Sequence, residues 1–257
     1  MIEILVAVHG FKGLPAFGGA VGDQGSEGFE MKLRELPIIQ YQNVSEKSHI
    51  SRLWLSPGSF KRQLEYLATN NFQVLSMDET INHMVRKKRI KGVRPISLTF
   101  DNGYLDFYEQ AFPLLSDHNF PGTILISPIK VGKRVNIGTN EVRHLTWGIL
   151  KELTKNNISI GAYEDNAWNI NDIPEDMVQR HIIEYKKLLE DKLGIEIRYF
   201  GVKEGVPDQK VCDLLISEGY RAFLTECPTN RKPDLCSIGR IQVDDDDFNI
   251  FLTKISR

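Results

Sequence analysis

One acidic residue stands where an apolar segment changes into a helical pattern. Residues 96–100 are mostly apolar, Asp101 follows them, and Gly103 then interrupts the segment. Beyond this glycine, apolar residues recur at helical spacing. Parallel α/β folds place their chemistry at the carboxyl ends of buried strands. The pattern therefore predicts that Asp101 lies at a strand end where it could act on a bound molecule.

The residues around Asp101 resemble a known family motif. Residues 99–104 are Thr-Phe-Asp-Asn-Gly-Tyr, and the first motif of the polysaccharide deacetylase family (the NodB-homology domain, carbohydrate esterase family 4) is Thr-Phe-Asp-Asp-Gly-Tyr. Residues 36–42 are similar to the opening strand of that family, with Gln42 where the family has His. Residues 219–223 and 239–243 resemble its late signatures. The resemblance covers residues 35–255.

This resemblance implies a metal-dependent deacetylation. In the family, one carboxylate and two imidazoles hold a divalent metal, and the other carboxylate of the Asp-Asp pair acts as base toward a metal-bound water. The ligand positions in this chain hold Asn102, Tyr163 and Ala167. An amide, a phenol and a methyl group are a poor ligand set for Zn²⁺. We therefore expect no metal cofactor.

Asp101 keeps the position of the family's base. It is either a base that lacks an activated water, or a carboxylate that accepts hydrogen bonds from backbone N–H groups at the strand-to-helix turn. A further alternative is a hard-cation site that Asp101 forms with Glu164 and Asp165.

Several other side chains are candidates for ligand binding near the strand ends. The aromatic ones could stack on a sugar ring or could fill the volume that the metal and water occupy in the family. The candidates are Tyr41, Gln42, Tyr104, Trp168 and Lys203.

Three hypotheses for function follow from these residues, and the third is an active metal deacetylase whose ligands come from elsewhere in the chain. The first is a polysaccharide deacetylase-like protein of carbohydrate metabolism that has lost the metal-dependent reaction and binds a glycan or a protein partner. The alternative is an active hydrolase of amide C–N bonds, such as an N-acetyl sugar deacetylase with a changed site. In that case Asp101 is the base, and Lys203 or Tyr163 assists the reaction. Whether the chain is an enzyme stays open.

Strand and helix patterns alternate from residue 35 onward, which indicates a parallel sheet. The number of strands suits a barrel of seven or eight, and the resemblance implies the distorted, TIM-like (β/α) barrel of the deacetylases. We predict that this barrel spans residues 31–257. Residues 1–30 are predicted to form a short strand followed by a glycine-rich loop, and Met31 is an alternative start.

Composition narrows the classes of partner and compartment. The 257 residues carry a formal net charge of -2, which offers no electrostatic reason to expect nucleic acid. No apolar run reaches the length of a membrane span, and residues 2–8 lack the flanking features of a signal peptide. These features favour a cytoplasmic protein, and they do not predict its oligomeric state.

Overall fold

The computed structural model describes residues 36–86, 93–164, 169–203, 205–226, 235–245 and 247–256. The predicted strand and glycine-rich loop of residues 1–30, and the alternative start at Met31, lie outside these residues.

A parallel sheet forms the centre of the fold. Its strand segments follow the order β12-β11-β10-β9-β6-β5-β1-β13, and β4 pairs with the first half of β5. The segments are β1 (Ile38–Tyr41), β4 (Phe72–Leu75), β5 (Arg94–Phe100), β6 (Gly122–Ile126), β9 (Ile158–Glu164), β10 (Tyr199–Val202), β11 (Ala222–Thr225), β12 (Ile238–Gly239) and β13 (Ile241–Val243).

The last two segments bring the ends of this sheet together. Only Arg240 separates β12 from β13. Because β12 pairs with β11 and β13 pairs with β1, one interrupted strand bridges the two ends of the sheet. Counting that strand once, eight parallel strands form a nearly closed barrel. The predicted distorted (β/α) barrel is confirmed.

Helices cover the outside of the barrel and follow the strands as predicted. Helix α5 begins after Pro174 and ends at Gly194, whose φ of 71° is the left-handed conformation that favours glycine at a helix end. The helices are α1 (Pro57–Thr69), α2 (Met77–Arg86), α3 (Phe112–Asp117), α4 (Trp147–Leu153), α5 (Glu175–Leu193), α6 (Gln209–Ser217) and α7 (Phe248–Ile255). None of the helices among the described residues is both long and apolar enough to cross a membrane.

Strand alternation separates two apolar clusters. The larger cluster lies between the strands and the helices and includes Ile39, Leu98 and Phe100. The smaller cluster includes Ile38, Leu125, Tyr163, Leu224 and Ile238. Because successive strand residues face opposite sides of a sheet, the second set lines the barrel interior.

Two small sheets were missed by the sequence analysis. One pairs β2 (Asn43–Val44) with β3 (Trp54–Leu55), and the other pairs β7 (Arg134–Ile137) with β8 (Asn140–Arg143) as an antiparallel hairpin. The strands of the first sheet have two residues each and offer no period to detect. Tyr104 and His144 form an isolated β-bridge beside the hairpin of β7 and β8. This bridge links the hairpin to the loop that follows Asp101.

We expect Gly161→Ala to destabilise the barrel. A Cβ atom at Gly161 would lie 2.6 Å from Leu125 Cδ2 and 3.0 Å from the Tyr199 backbone oxygen. Because backbone must move to relieve that contact, the free energy of unfolding should fall by about 1–3 kcal/mol. Gly148→Ala is the matched control, since the nearest atom to its Cβ would be 3.9 Å away. Helix propensity predicts that this control gains up to about 1 kcal/mol. Urea unfolding of both variants measures the difference, and equal stabilities would contradict the close strand approach.

Candidate functional site

Asp101 is fully buried at the carboxyl end of β5 and forms a two-pronged ion pair with Arg240. Arg240 Nη1 donates to Asp101 Oδ1 at 2.6 Å, and Nη2 donates to Oδ2 at 3.1 Å. Both side chains are 0% exposed. Such paired, charge-assisted hydrogen bonds are among the strongest that proteins form. Neither reading of Asp101 from the sequence anticipated this partner.

Arg240 connects three strands from its position between β12 and β13. Its backbone N–H donates to the Thr225 oxygen at 3.0 Å, which continues the pairing with β11. Its Nη1 also lies 3.5 Å from Thr99 Oγ1 on β5. Burial would lower the pKa of Arg240, but the charge of Asp101 and its hydrogen bond raise that pKa above the ordinary value. The guanidinium therefore stays charged although it is buried.

A single amide nitrogen joins Asp101 to a second carboxylate. Gln40 Nε2 donates to Asp101 Oδ2 at 2.7 Å and to Glu226 Oε1 at 2.8 Å. Gln40 is 0% exposed on β1, whereas Glu226 is half-buried directly after β11. The two carboxylates therefore share the amide of Gln40 as one donor group. Asp101 is buried, whereas Glu226 lies nearer to the solvent.

The surroundings of Glu226 disfavour its charged form. Burial raises the pKa of Glu226, and the hydrogen bond from Gln40 opposes this effect. The charge of Asp101 raises the pKa further, while the charges of Arg240 and then Lys203 lower it. The resulting pKa is above the ordinary value for a glutamate, so Glu226 can hold a proton more readily than an exposed acid.

The predicted metal positions are described only in part. Asn102 adopts a left-handed φ of 68° directly after Asp101. Tyr163 is 1% exposed in the barrel interior and contributes to the raised pKa of Arg240. Ala167, together with the predicted binding residue Trp168, lies outside the described residues.

The predicted binding residues separate into two groups. Tyr41 lies in the core between sheet and helices, where its hydroxyl donates to Gln63 Oε1 at 2.9 Å and its ring stacks on Phe100. It is 0% exposed and faces away from Asp101, so the binding role expected for it does not fit its position. Gln42 and Lys203 are half-buried at strand ends.

Tyr104 lies in an aromatic group beyond the end of β5. Its ring centroid is 5.6 Å from that of Trp54 and 5.0 Å from that of His144. Trp54 and His144 are buried, whereas Tyr104 is half-buried. Tyr104 therefore packs its loop against Trp54 and His144. The part of Tyr104 that stays exposed offers aromatic surface near the site.

Glu164 does not join Asp101 in a cation site. Its carboxylate contacts Nδ1 of His181 on helix α5, and both side chains are largely buried. The ring of His181 in turn stacks on Tyr185 with a centroid distance of 4.9 Å. Because these contacts lie on the helix side of β9, the predicted site of Asp101, Glu164 and Asp165 does not form among the described residues. Asp165 itself lies outside them.

Three site residues were missed from the sequence: Gln40, Glu226 and Arg240. A signal existed for Arg240, since residues 239–243 already resembled a late family signature. Alternation also places Gln40 on the face opposite Tyr41. No local pattern distinguishes Glu226 from other acids that follow a strand.

Comparisons with known proteins agree with this fold. A family model described as polysaccharide deacetylase matches residues 88–223. YxkH of Bacillus subtilis strain 168, whose name places it with the polysaccharide deacetylases, is 22% identical over 214 residues, which cover 82% of this chain and 72% of that protein.

Solved structures show the same architecture. IcaB from Ammonifex degensii superposes with a TM-score of 0.73 at 21% identity, covering 87% of this chain and 97% of that one. The Streptococcus pyogenes deacetylase PplD, solved in complex with acetate, has a TM-score of 0.70 at 18% identity, with 86% and 98% coverage.

The expectation of no cofactor is wrong at the level of the family. The matched family is one of metal-dependent deacetylases, and the similar proteins indicate a metal cofactor. The described residues do not fit a metal in the family's arrangement, because Asn102 offers an amide and Tyr163 a buried phenol. Among the described residues, no cluster of three or more His, Cys, Asp or Glu side chains could hold a metal ion.

We expect Arg240→Met to destabilise the protein strongly. It would leave the Asp101 carboxylate buried without its cation, which costs about 3–5 kcal/mol when one partner of a buried pair is removed. Arg134→Met is the matched control, because Arg134 pairs with Glu141 at 3.1 Å with its side chain 61% exposed. That exposed pair should contribute about 0–1 kcal/mol. Chemical unfolding of both variants provides the measurement, and similar losses would contradict the structural role of the buried pair of Asp101 and Arg240.

We expect Asn102→Asp to raise the affinity for a divalent metal. A carboxylate is a stronger ligand than an amide, so the dissociation constant for Zn²⁺ should fall on the order of tenfold. Asn71→Asp is the matched control, because Asn71 also has a left-handed φ, of 59°. Calorimetric titration with Zn²⁺ measures both variants. An unchanged affinity in Asn102→Asp would contradict the assignment of the family's ligand position to residue 102.

Proposed function

The chain belongs to the polysaccharide deacetylase family, and from this membership we propose that it binds a glycan at the carboxyl ends of the barrel strands without performing the family's deacetylation there. Barrel enzymes and binding proteins place their ligands at this end of the strands. The residues that support ligand binding there are Gln42, Tyr104, Lys203 and Glu226.

The observation that carries this proposal is the burial of the Asp101 carboxylate and the hydrogen bonds that it accepts. A general base must lie within hydrogen-bond reach of the proton that it removes. Both carboxylate oxygens of Asp101 already accept hydrogen bonds from Arg240, and one also accepts from Gln40. The side chain is 0% exposed. Asp101 is thus held as a buried structural group whose two oxygens already accept hydrogen bonds.

The groups around Asp101 suit a carbohydrate ligand. Glycan sites combine a few polar groups that fix orientation with aromatic or apolar surface. Here the half-buried Tyr104 ring lies in an aromatic group, while Gln42, Lys203 and Glu226 are half-buried polar groups at strand ends. This combination supports binding of a sugar chain.

One observation favours the alternative of an active amide hydrolase with a changed site. Glu226 is the more exposed of the two carboxylates that share Gln40. Its raised pKa would let it hold a proton that it could exchange with a bound substrate. In this alternative Glu226, and not Asp101, exchanges the proton.

We expect the protein to bind a tetramer of N-acetylglucosamine and to release no acetate from it. Calorimetry measures the binding, and enzymatic detection of acetate measures hydrolysis, with Zn²⁺, Co²⁺ or Ni²⁺ supplied in turn. Tyr104→Leu should weaken binding by about 1 kcal/mol, since aromatic contacts contribute that much beyond their buried area.

The hydrolysis assay separates the proposal from its rivals. Acetate release that Glu226→Gln abolishes would establish the changed-site hydrolase. Release that needs the added metal and persists in Glu226→Gln would show that the family's reaction is retained. Absence of both binding and hydrolysis would reject a role with this glycan.

A further inference from the structure

Glu226 differs from its neighbour Asp101 in how its charge is balanced. Asp101 has the guanidinium of Arg240 on both oxygens. Among the described residues, the hydrogen-bond partner of Glu226 is the neutral amide of Gln40, at 2.8 Å. No Lys, Arg or His of the described residues forms an ion pair with it. Within the part of the chain that the structure describes, the outer carboxylate of the site is therefore half-buried and has no paired cation.

The energy of this arrangement favours a cationic ligand. Burial is the largest cause of the raised pKa of Glu226, and the nearby charge of Asp101 adds to it. A positive group bound at Glu226 would offset both effects, because an opposite charge at close range stabilises the ionised acid. The charge of Lys203 also lowers the pKa of Glu226, but its effect is the smallest of the causes.

Two glutamine side chains on adjacent strands carry buried polar atoms without hydrogen-bond partners among the described residues, and these atoms independently favour a ligand-binding role. Gln40 is 0% exposed, and its Oε1 has no hydrogen-bond partner among the described residues. Since Nε2 of the same amide contacts both carboxylates, this oxygen lies within the cluster. Gln242 is the register partner of Gln40 on β13, and its buried Nε2 likewise has no partner in the described part of the chain. Buried polar atoms normally have partners.

A protonated amine matches these atoms. An ammonium group has three donors and one positive charge. Glu226 offers the charge partner and Gln40 Oε1 offers a second acceptor, while the amide of Gln242 can donate to a hydroxyl oxygen. An N-acetyl group has no positive charge and only one N–H, so it leaves the charge of Glu226 unbalanced.

We propose that Glu226 and Gln40 form a binding site for the protonated amine of an amino sugar, so that the chain prefers a glycan with free amines over its N-acetylated form. This inference rests on the proposed glycan-binding function and specifies its ligand class.

Calorimetry at neutral pH with two probes tests the inference: a tetramer of glucosamine and a tetramer of N-acetylglucosamine. The wild type should bind the glucosamine tetramer more tightly. Glu226→Gln keeps an acceptor for Gln40 and removes the charge. It should weaken binding of the glucosamine tetramer by about tenfold or more, the effect of losing a hydrogen bond to a charged group. Binding of the acetylated tetramer should change by less than about twofold.

One further variant provides a matched control. Glu218→Gln makes the same charge change before the opposite end of β11 and should leave both affinities unchanged. Thermal unfolding verifies that each variant is folded.

The outcomes separate this inference from the proposed function. Equal binding of the two tetramers, or an equal loss of both in Glu226→Gln, would overturn the amine site and leave glycan binding intact. Failure of the wild type to bind either tetramer would overturn both.

Discussion

The buried ion pair of Asp101 and Arg240 is the interaction on which the barrel and its site both depend. Arg240 lies at the break between β12 and β13, where the last strand changes its partner from β11 to β1. At this break the guanidinium turns inward and meets the acid at the end of β5. The barrel is therefore joined by backbone pairing on both sides of Arg240 and by a charge pair across its interior.

This dual role constrains the chemistry that the site can perform. Two charges removed from water are tolerated only when each is well paired, and the fold meets that condition with two Arg240 hydrogen bonds and one from Gln40. The same bonds occupy the oxygens that a general base needs. In the proposed function, Asp101 serves the fold as a structural carboxylate, and the more exposed Glu226 is the acid that a ligand meets first.

Sequence patterns predicted the fold better than the site. The alternation of strands and helices predicted β5 and α5 closely, because both are long and strongly patterned. The pairing of Asp101 with Arg240 depends on strand order and register over 139 positions of separation, which no local pattern contains. Strand alternation places Tyr41, which was predicted to bind a ligand, on the helix side of β1, while its neighbour Gln40 faces inward. The expectation of no metal cofactor is wrong for a different reason, because it infers the loss of the family's cofactor from substituted ligand positions alone.

The interior of the barrel explains how the substituted positions are accommodated. Tyr163 fills interior volume against Leu125, and the nearby glycines Gly161 and Gly201 leave room for that leucine. These apolar side chains belong to the cluster inside the barrel, while Gln40 and Glu226 lie beside the ion pair. In the proposed amine site, a ligand approaches from the strand ends and meets Glu226, which forms no ion pair with another described residue. The inner pair then supports the structure, and the outer acid selects the ligand by its charge.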